Sequence, residues 1–121
     1  MPATVILGAQ WGDEGKGKAI DQLAPRYGWT VRFQGGNNAG HTIVIGDTTL
    51  KLHQIPSGLP TPHCNLVLGD GMVIDPWVLE KELDAWKALT GEEPEGSRLF
   101  ISERASVCLL YTSPSPRDRL L

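Results

Sequence analysis

Apolar and polar positions along the amino-terminal third of this chain predict strands and a helix in alternation. Thr4–Leu7 is a short apolar run rich in β-formers that ends at Gly8, which is typical of a strand. Gly17–Tyr27 carries apolar residues at helical spacing, and a proline near its end marks the close of the pattern. Thr30–Phe33 then reads as a second strand.

Further along the chain, the pattern predicts a hairpin, a strand and a second helix. Thr42–Ile45 and Thr48–Leu52 alternate on either side of a Gly-Asp pair, which predicts a β-hairpin. Asn65–Leu68 is a short apolar strand, and Pro76–Leu89 is a helix with proline in its first turn. The apolar face of this helix is predicted to consist of Val78, Leu79, Leu83 and Trp86.

The last predicted elements complete an α/β order. An acidic, Gly/Pro-containing loop at Thr90–Ser97 precedes a short strand at Leu99–Ile101. Strand, helix and strand at this spacing imply βαβ units and therefore a parallel sheet.

Composition narrows the class of protein. The chain has 121 residues, 40% hydrophobic and 21% charged, with a net charge of −3, which is an ordinary globular mixture. The negative charge argues against nucleic acid or an anionic membrane as the default partner. No apolar run approaches the ~20 residues of a membrane span, and Met1–Thr4 lacks the basic start of a secretory signal. Cys64 and Cys108 form no metal or disulfide spacing and are interpreted as core residues, so a cytoplasmic location is expected.

A glycine- and lysine-rich segment, Gly12–Lys18, lies between the first predicted strand and the first predicted helix. It has the spacing of a P-loop, in which glycines let successive N–H groups point at one anion. The helix amino terminus adds unpaired donors, and Lys16 and Lys18 add positive charge. The segment predicts a phosphate site; a plain tight turn would not need so many glycines, each of which loses chain entropy on ordering.

Ala19 makes this P-loop unusual. Most P-loops have Ser or Thr at this position, and the hydroxyl holds Mg²⁺ on the phosphates. Because alanine cannot do so, a divalent cation would need an oxygen from elsewhere, and Asp13 is the obvious nearby carboxylate.

A second polar constellation, Gln34–Thr42, follows the second predicted strand. Its asparagine amides can hydrogen-bond a purine base or a phosphate, and Gly40 allows close backbone approach. His41 has the side chain whose ordinary pKa suits proton transfer near neutrality. Ligands bind beyond the carboxyl ends of parallel strands, so this loop and the P-loop are expected to meet at one edge. His53 and His63 lack such a setting and are predicted to be surface histidines.

These residues resemble a known family. Trp11–Lys18 and Gln34–Thr42, in this order and at this separation, look like the two amino-terminal signatures of adenylosuccinate synthetases. The resemblance runs from about Thr4 to Val107. Further segments that resemble the family are Lys51–Gly58, Gly69–Pro76 and Ile101–Ala105. The predicted fold class is therefore α/β, an incomplete P-loop-containing parallel-sheet domain with a β-hairpin insertion.

The resemblance implies an activity. Family members join inosine monophosphate (IMP) to L-aspartate with GTP, giving adenylosuccinate, GDP and phosphate, and so begin AMP synthesis from IMP. Asp13 would take the N1 proton of the base, whose 6-oxygen attacks the γ-phosphate before aspartate displaces phosphate. His41 would act as general acid and Lys16 would stabilise the transferred phosphoryl group. One Mg²⁺ per active site would be held by Asp13 and the Gly40 carbonyl, and Thr42–His53 would close over the nucleotide.

The resemblance also implies binding sets, a homodimer and missing parts. Residues for guanine, for aspartate and for an arginine reaching across the dimer would lie beyond this chain, because family members are several times longer. The GTP set is Gly12, Asp13, Glu14, Gly15, Lys16, Gly17, Lys18, Gly40, His41 and Thr42. The IMP set is Asp13, Glu14, Gly15, Lys16, Asn38, Ala39, Gly40 and His41.

The chain divides into two parts at the end of the resemblance. Residues 1–107 are predicted to be the amino-terminal part of a GTP-dependent nucleotide ligase domain. Residues 108–121 form an atypical tail with a Ser-Pro-Ser-Pro stretch. The tail is either a disordered terminus or a segment from a truncated or misjoined reading frame, and the break in the family pattern favours the second interpretation.

Two other functions stay open at the level of sequence. The chain could be another P-loop protein, such as a nucleotide kinase or an ATPase; Gln34–Thr42 argues against this, and a nucleotide competition that prefers ATP would favour it. It could also be an incomplete product with no activity and an exposed core, which proteolysis or hydrogen exchange would reveal.

Overall fold

A computed structural model describes residues 3–7, 16–36 and 40–108 of the chain. From residue 16 onward, the helices and strands follow in the order that the sequence predicts, with one further short strand near residue 107. In chain order the elements are α1 (Lys16–Leu23), a 3-10 turn (Ala24–Arg26), β1 (Trp29–Gly35), β2 (His41–Ile45), β3 (Thr48–Leu52), β4 (Asn65–Ile74), α2 (Pro76–Thr90), a 3-10 turn (Pro94–Gly96), β5 (Leu99–Ile101) and β6 (Ser106–Val107).

The main sheet is parallel. Strand β4 lies between β1 and β5 and pairs with both in parallel, and its far end pairs with β6. The register places Trp29 opposite Asn65 and Leu66 opposite Leu99. The α/β class with a parallel sheet is therefore confirmed.

The hairpin insertion is confirmed as well. Strands β2 and β3 pair in antiparallel register, from His41 opposite Leu52 to Ile45 opposite Thr48. Gly46 in the turn has φ of 59°, in the left-handed region that glycine adopts without strain. The hairpin brings the first residue of β2 beside the last residue of β3.

Local sequence signals account for the limits of both helices. The α-helical geometry of α1 stops at Leu23, and Pro25 lies in the tighter turn that follows. Helix α2 begins after Asp75, whose carboxylate accepts hydrogen bonds from the N–H groups of Trp77 and Val78 at 3.0 and 3.3 Å. It ends at Gly91, which has φ of 81°.

Strand β4 is longer than its apolar run predicts. Its second half continues through Gly69 and Gly71, which weaken a strand prediction. The register shifts between Arg32 and Gln34 on the neighbouring strand, and a Cβ atom at Gly71 would collide with the Phe33 carbonyl oxygen. Glycine is therefore needed where β1 comes closest to β4.

The core lies between the sheet, the hairpin base and α2. Leu79 and Trp86 of α2 are buried and Leu83 is partly buried, in agreement with the predicted apolar face. Cys64 is fully buried, as predicted for a core residue, whereas Cys108 is half-buried. The buried apolar cluster contains Ile43, Leu52, Ile55, Leu59, Leu66, Leu68, Met72, Ile74, Leu79, Trp86 and Leu99.

The other face of the main sheet carries exposed apolar residues. Trp29, Val31 and Phe33 alternate along β1 and are 56%, 50% and 45% exposed. The Trp29 ring packs on Phe100 of β5 with their centroids 5.7 Å apart. Neither described helix is long and apolar enough to cross a membrane.

The strand predicted at Thr4–Leu7 is wrong. Residues 3–7 form no strand, and Val5 and Leu7 are largely exposed. Residues 3–6 instead border an open cleft of about 410 Å³, with α1 and the start of β1 as its other walls. A β-rich composition becomes a strand only where a neighbouring strand supplies ladder hydrogen bonds, and neither described sheet pairs with this segment.

Candidate nucleotide-binding site

The structure describes part of the predicted site. Helix α1 begins with Lys16, Gly17 and Lys18, and it contacts β2. Gly40 precedes β2, while His41 and Thr42 begin it. Helix α1, which begins with the last residues of the first motif, therefore contacts the hairpin strand that begins with the last residues of the second motif. The predicted site residues that lie outside the described ranges are Gly12, Asp13, Glu14, Gly15, Asn38 and Ala39.

His41 has an environment that distinguishes it within the described part of the chain. Its Nε2 atom is buried and has no hydrogen-bond partner among the described residues. The pKa of His41 is lowered to about 4, mainly by burial and also by the nearby Arg32 and His53. The imidazole is therefore neutral near pH 7, with a ring nitrogen left available for a ligand.

Arg32 supplies positive charge beside this histidine. Its guanidinium donates to the carbonyl oxygen of His53 and, at 3.3 Å, to that of Gly36. Burial lowers the pKa of Arg32 and Glu82 opposes the shift, but an arginine remains cationic at neutral pH. Sequence reasoning missed Arg32; the signal was a basic residue inside the otherwise apolar run of β1.

The prediction that His53 is an ordinary surface histidine is wrong. Its side chain is only 33% exposed, and its Nδ1 lies 3.7 Å from a carboxylate oxygen of Glu82. A Cβ atom at Gly40 would lie 3.1 Å from its Nε2, so the ring sits against that backbone. The hairpin register explains the difference, because pairing His41 with Leu52 brings residue 53 back beside residue 40. His63 is exposed, as predicted.

The described residues contain no cluster of three or more metal-ligating side chains. The predicted metal pair is Asp13 with the Gly40 carbonyl, of which only Gly40 is described, and it is exposed. The metal assignment stays a prediction.

Comparison with known families identifies the chain. A family model described as adenylosuccinate synthetase matches residues 5–115, which include both motifs. The chain belongs to the adenylosuccinate synthetase family. Family membership confirms the resemblance read from Trp11–Lys18 and Gln34–Thr42.

Curated relatives and a solved structure support the same assignment. The adenylosuccinate synthetases of Thermobifida fusca and Acidothermus cellulolyticus are 54% and 55% identical to this chain over 111 residues. A fully ligated adenylosuccinate synthetase from Plasmodium falciparum is 44% identical, with a TM-score of 0.72, and the match covers 84% of this chain and 23% of that one. The match to the two curated relatives covers 92% of this chain, which spans about a quarter (25%) of their length.

Proposed function

We propose that this chain is the phosphate- and IMP-handling part of a GTP-dependent adenylosuccinate synthetase. The complete enzyme would join IMP to L-aspartate, release GDP and phosphate, and act as a cytoplasmic homodimer. The match of the family model to residues 5–115 carries the proposal. Residues 1–107 would form part of the ligase domain, and the family-model match continues to residue 115, into the tail predicted at 108–121.

The proposed chemistry divides between two residues. Asp13 would accept the N1 proton of the hypoxanthine ring, so that the 6-oxygen attacks the γ-phosphate of GTP. His41 would donate to the transferred phosphoryl group, and its buried, unpartnered Nε2 among the described residues supports this role. Because Arg32 and burial hold His41 neutral, an arriving phosphate would favour its protonation.

The remaining contacts are electrostatic. Lys16 and the P-loop amides would stabilise charge on the phosphoryl group. Asp13 and the Gly40 carbonyl offer the oxygen ligands that Mg²⁺ prefers, and the ion would neutralise phosphate charge when bound. Asn38 and Ala39 would lie against IMP, and Thr42 against GTP.

The experiment uses a full-length graft, in which residues 1–107 of this chain replace the matching segment of the Thermobifida fusca relative. Asp13→Asn in the graft should abolish formation of the 6-phosphoryl intermediate with GTP bound, because the base is lost while the size is kept. His41→Asn should reduce turnover more than nucleotide binding. Normal reaction by the Asp13→Asn graft would place the base elsewhere, and competition that prefers ATP over GTP would favour a kinase or an ATPase.

A further inference from the structure

Glu82 of α2 holds three consecutive backbone N–H groups. Its carboxylate is 6% exposed and accepts from His53 at 2.7 Å, from Gln54 at 3.2 Å and from Ile55 at 3.1 Å. A carboxylate can satisfy several donors at once, and charged acceptors make stronger bonds than neutral ones. One side chain therefore binds the whole stretch of backbone that follows β3.

This stretch is the boundary between an open and a packed part of the chain. Before it, most residues of β2 and β3 are exposed or half-buried, whereas residues 54–59 are all buried. Gln54 adds a second attachment: its amide donates to the Asp75 carbonyl at 2.8 Å and accepts from the Asp75 N–H at 2.7 Å. The segment that follows the hairpin is therefore a fixed base, because hydrogen bonds to Glu82 of α2 and to Asp75 hold it in place.

His53 connects this base to the candidate nucleotide site. Its backbone is bound by Glu82 on one side and by the Arg32 guanidinium on the other. Its ring lies against Gly40, where an added Cβ atom would approach Nε2 to 3.1 Å and Cδ2 to 3.2 Å. His53 therefore links the Glu82 carboxylate to the surroundings of Gly40, which the Lys51 side chain also approaches, with its Cε atom 3.0 Å from the same Cβ position.

We propose that Glu82 and His53 are positioning residues for IMP: Glu82 holds residue 53, and the His53 ring holds the Gly40–His41 backbone in its nucleotide-binding position. The inference rests on the proposed function. Neither residue needs to touch substrate. Without this support, the hairpin would have to order itself when IMP binds, and the entropy cost would appear in KM for IMP.

The first test uses the 121-residue chain. Glu82→Gln keeps the shape but turns one acceptor into an N–H₂ donor, which cannot face three N–H groups. Amide exchange at residues 53–55 should accelerate, and the NMR signals of Gly40 and His41 should shift. Glu80→Gln removes the same charge from an exposed position of the same helix and should change neither. Faster exchange at 53–55 with unmoved Gly40 and His41 signals would overturn the proposal.

The second test measures kinetics in the full-length graft. Glu82→Gln should raise KM for IMP roughly tenfold or more and leave KM for aspartate unchanged, since the aspartate residues lie elsewhere. A purely structural loss would lower the active fraction and kcat while leaving every KM unchanged, and that result would contradict a positioning role. If the unmutated graft makes no adenylosuccinate, the proposed function itself fails.

His53→Ala covers the case in which Glu82→Gln does not fold. It removes the ring from Gly40 but leaves the three backbone hydrogen bonds to Glu82 in place. Exchange at 54–55 should stay slow while KM for IMP rises by a similar factor, and the double variant should be no worse than either single one. An unchanged KM for IMP in His53→Ala would refute the link between residue 53 and the nucleotide.

Discussion

Arg98 and His41 both have buried side-chain nitrogen atoms. Those of Arg98 have hydrogen-bond partners, whereas Nε2 of His41 has none among the described residues. Arg98 donates to the carbonyl oxygens of Leu59, Thr61 and Cys64 and binds the Glu92 carboxylate at 2.9 Å. His41 Nε2 is the one buried side-chain nitrogen or oxygen without a partner in residues 3–7, 16–36 and 40–108. A satisfied buried group organises the fold, whereas an unsatisfied one points to a ligand that the fold does not supply.

The contrast extends to the regions around the two residues. On the Arg98 side, the Trp86 ring also has a partner, because its N–H donates to the Glu92 carboxylate at 2.8 Å. His41, in contrast, belongs to the predicted motif Gln34–Thr42. Variants on the first side should therefore cost stability, and variants on the second should cost activity while the fold survives.

The largest expected effect is on activity. Lys16→Ala in the full-length graft should lower kcat by roughly a thousandfold or more, because it removes charge from the proposed phosphoryl-transfer site. Melting temperatures of the variant and the graft should agree. The control is Lys87→Ala, which breaks only an exposed pair with Glu93 and should remain active. Full activity of Lys16→Ala would mean that this lysine does not stabilise the phosphoryl group.

The largest effect on stability should come from the region around Arg98. Arg98→Met in the 121-residue chain should reduce the free energy of unfolding by about 3–5 kcal/mol, because buried carbonyls and Glu92 lose their donor. Urea denaturation followed by circular dichroism measures it. Arg104→Met changes an exposed arginine and should cost little. A loss below about 1 kcal/mol would show that the loop packs without Arg98.

His41 should give stability a specific pH dependence. Its pKa is about 4 in the folded chain, below its ordinary value of 6.5, so the unfolded chain binds the proton more readily in between. Stability should fall by roughly 3 kcal/mol as pH drops from about 7 to about 3, with most of the loss between pH 6.5 and 4. Urea denaturation across this range should show a flatter profile for His41→Asn. Identical profiles would contradict the lowered pKa.

The smallest expected effect concerns the cap of α2. Asp75→Ala should cost about 1 kcal/mol, because the N–H groups of Trp77 and Val78 lose an acceptor, and Asp75→Asn should cost less since asparagine also caps. Thermal unfolding of the three chains gives the comparison. Equal losses from both variants would mean that charge rather than capping matters.

The sequence predicts the local elements better than the long-range ones. Helical spacing, prolines and glycines predicted α2 and the hairpin because these signals lie within a few residues of each other. The strand at Thr4–Leu7 was wrong because a strand depends on partners distant in sequence. The second half of β4 was not predicted, because Gly69 and Gly71 weaken a strand pattern. Glycine is required there because the backbone of β1 lies close to β4.

The candidate site divides in the same way. His41 could be singled out from its loop, and the motif spacing led to the family. The roles of His53 and Glu82 could not be predicted, because they depend on the hairpin register and on a contact with α2 across 27 to 29 residues. The sequence pattern of a helix does not indicate which backbone N–H groups a glutamate in that helix will bind.

The central claim is that residues 1–107 supply the phosphate- and IMP-handling part of a longer synthetase. The direct measurement is the initial rate of GTP-dependent adenylosuccinate formation by the full-length graft and by the 121-residue chain alone. The account predicts a graft rate within about a hundredfold of the intact relative and no detectable rate for the chain alone, since positioning by the remaining residues can supply ~7–11 kcal/mol of barrier lowering. A folded but inactive graft, or a chain that turns over by itself, would contradict it.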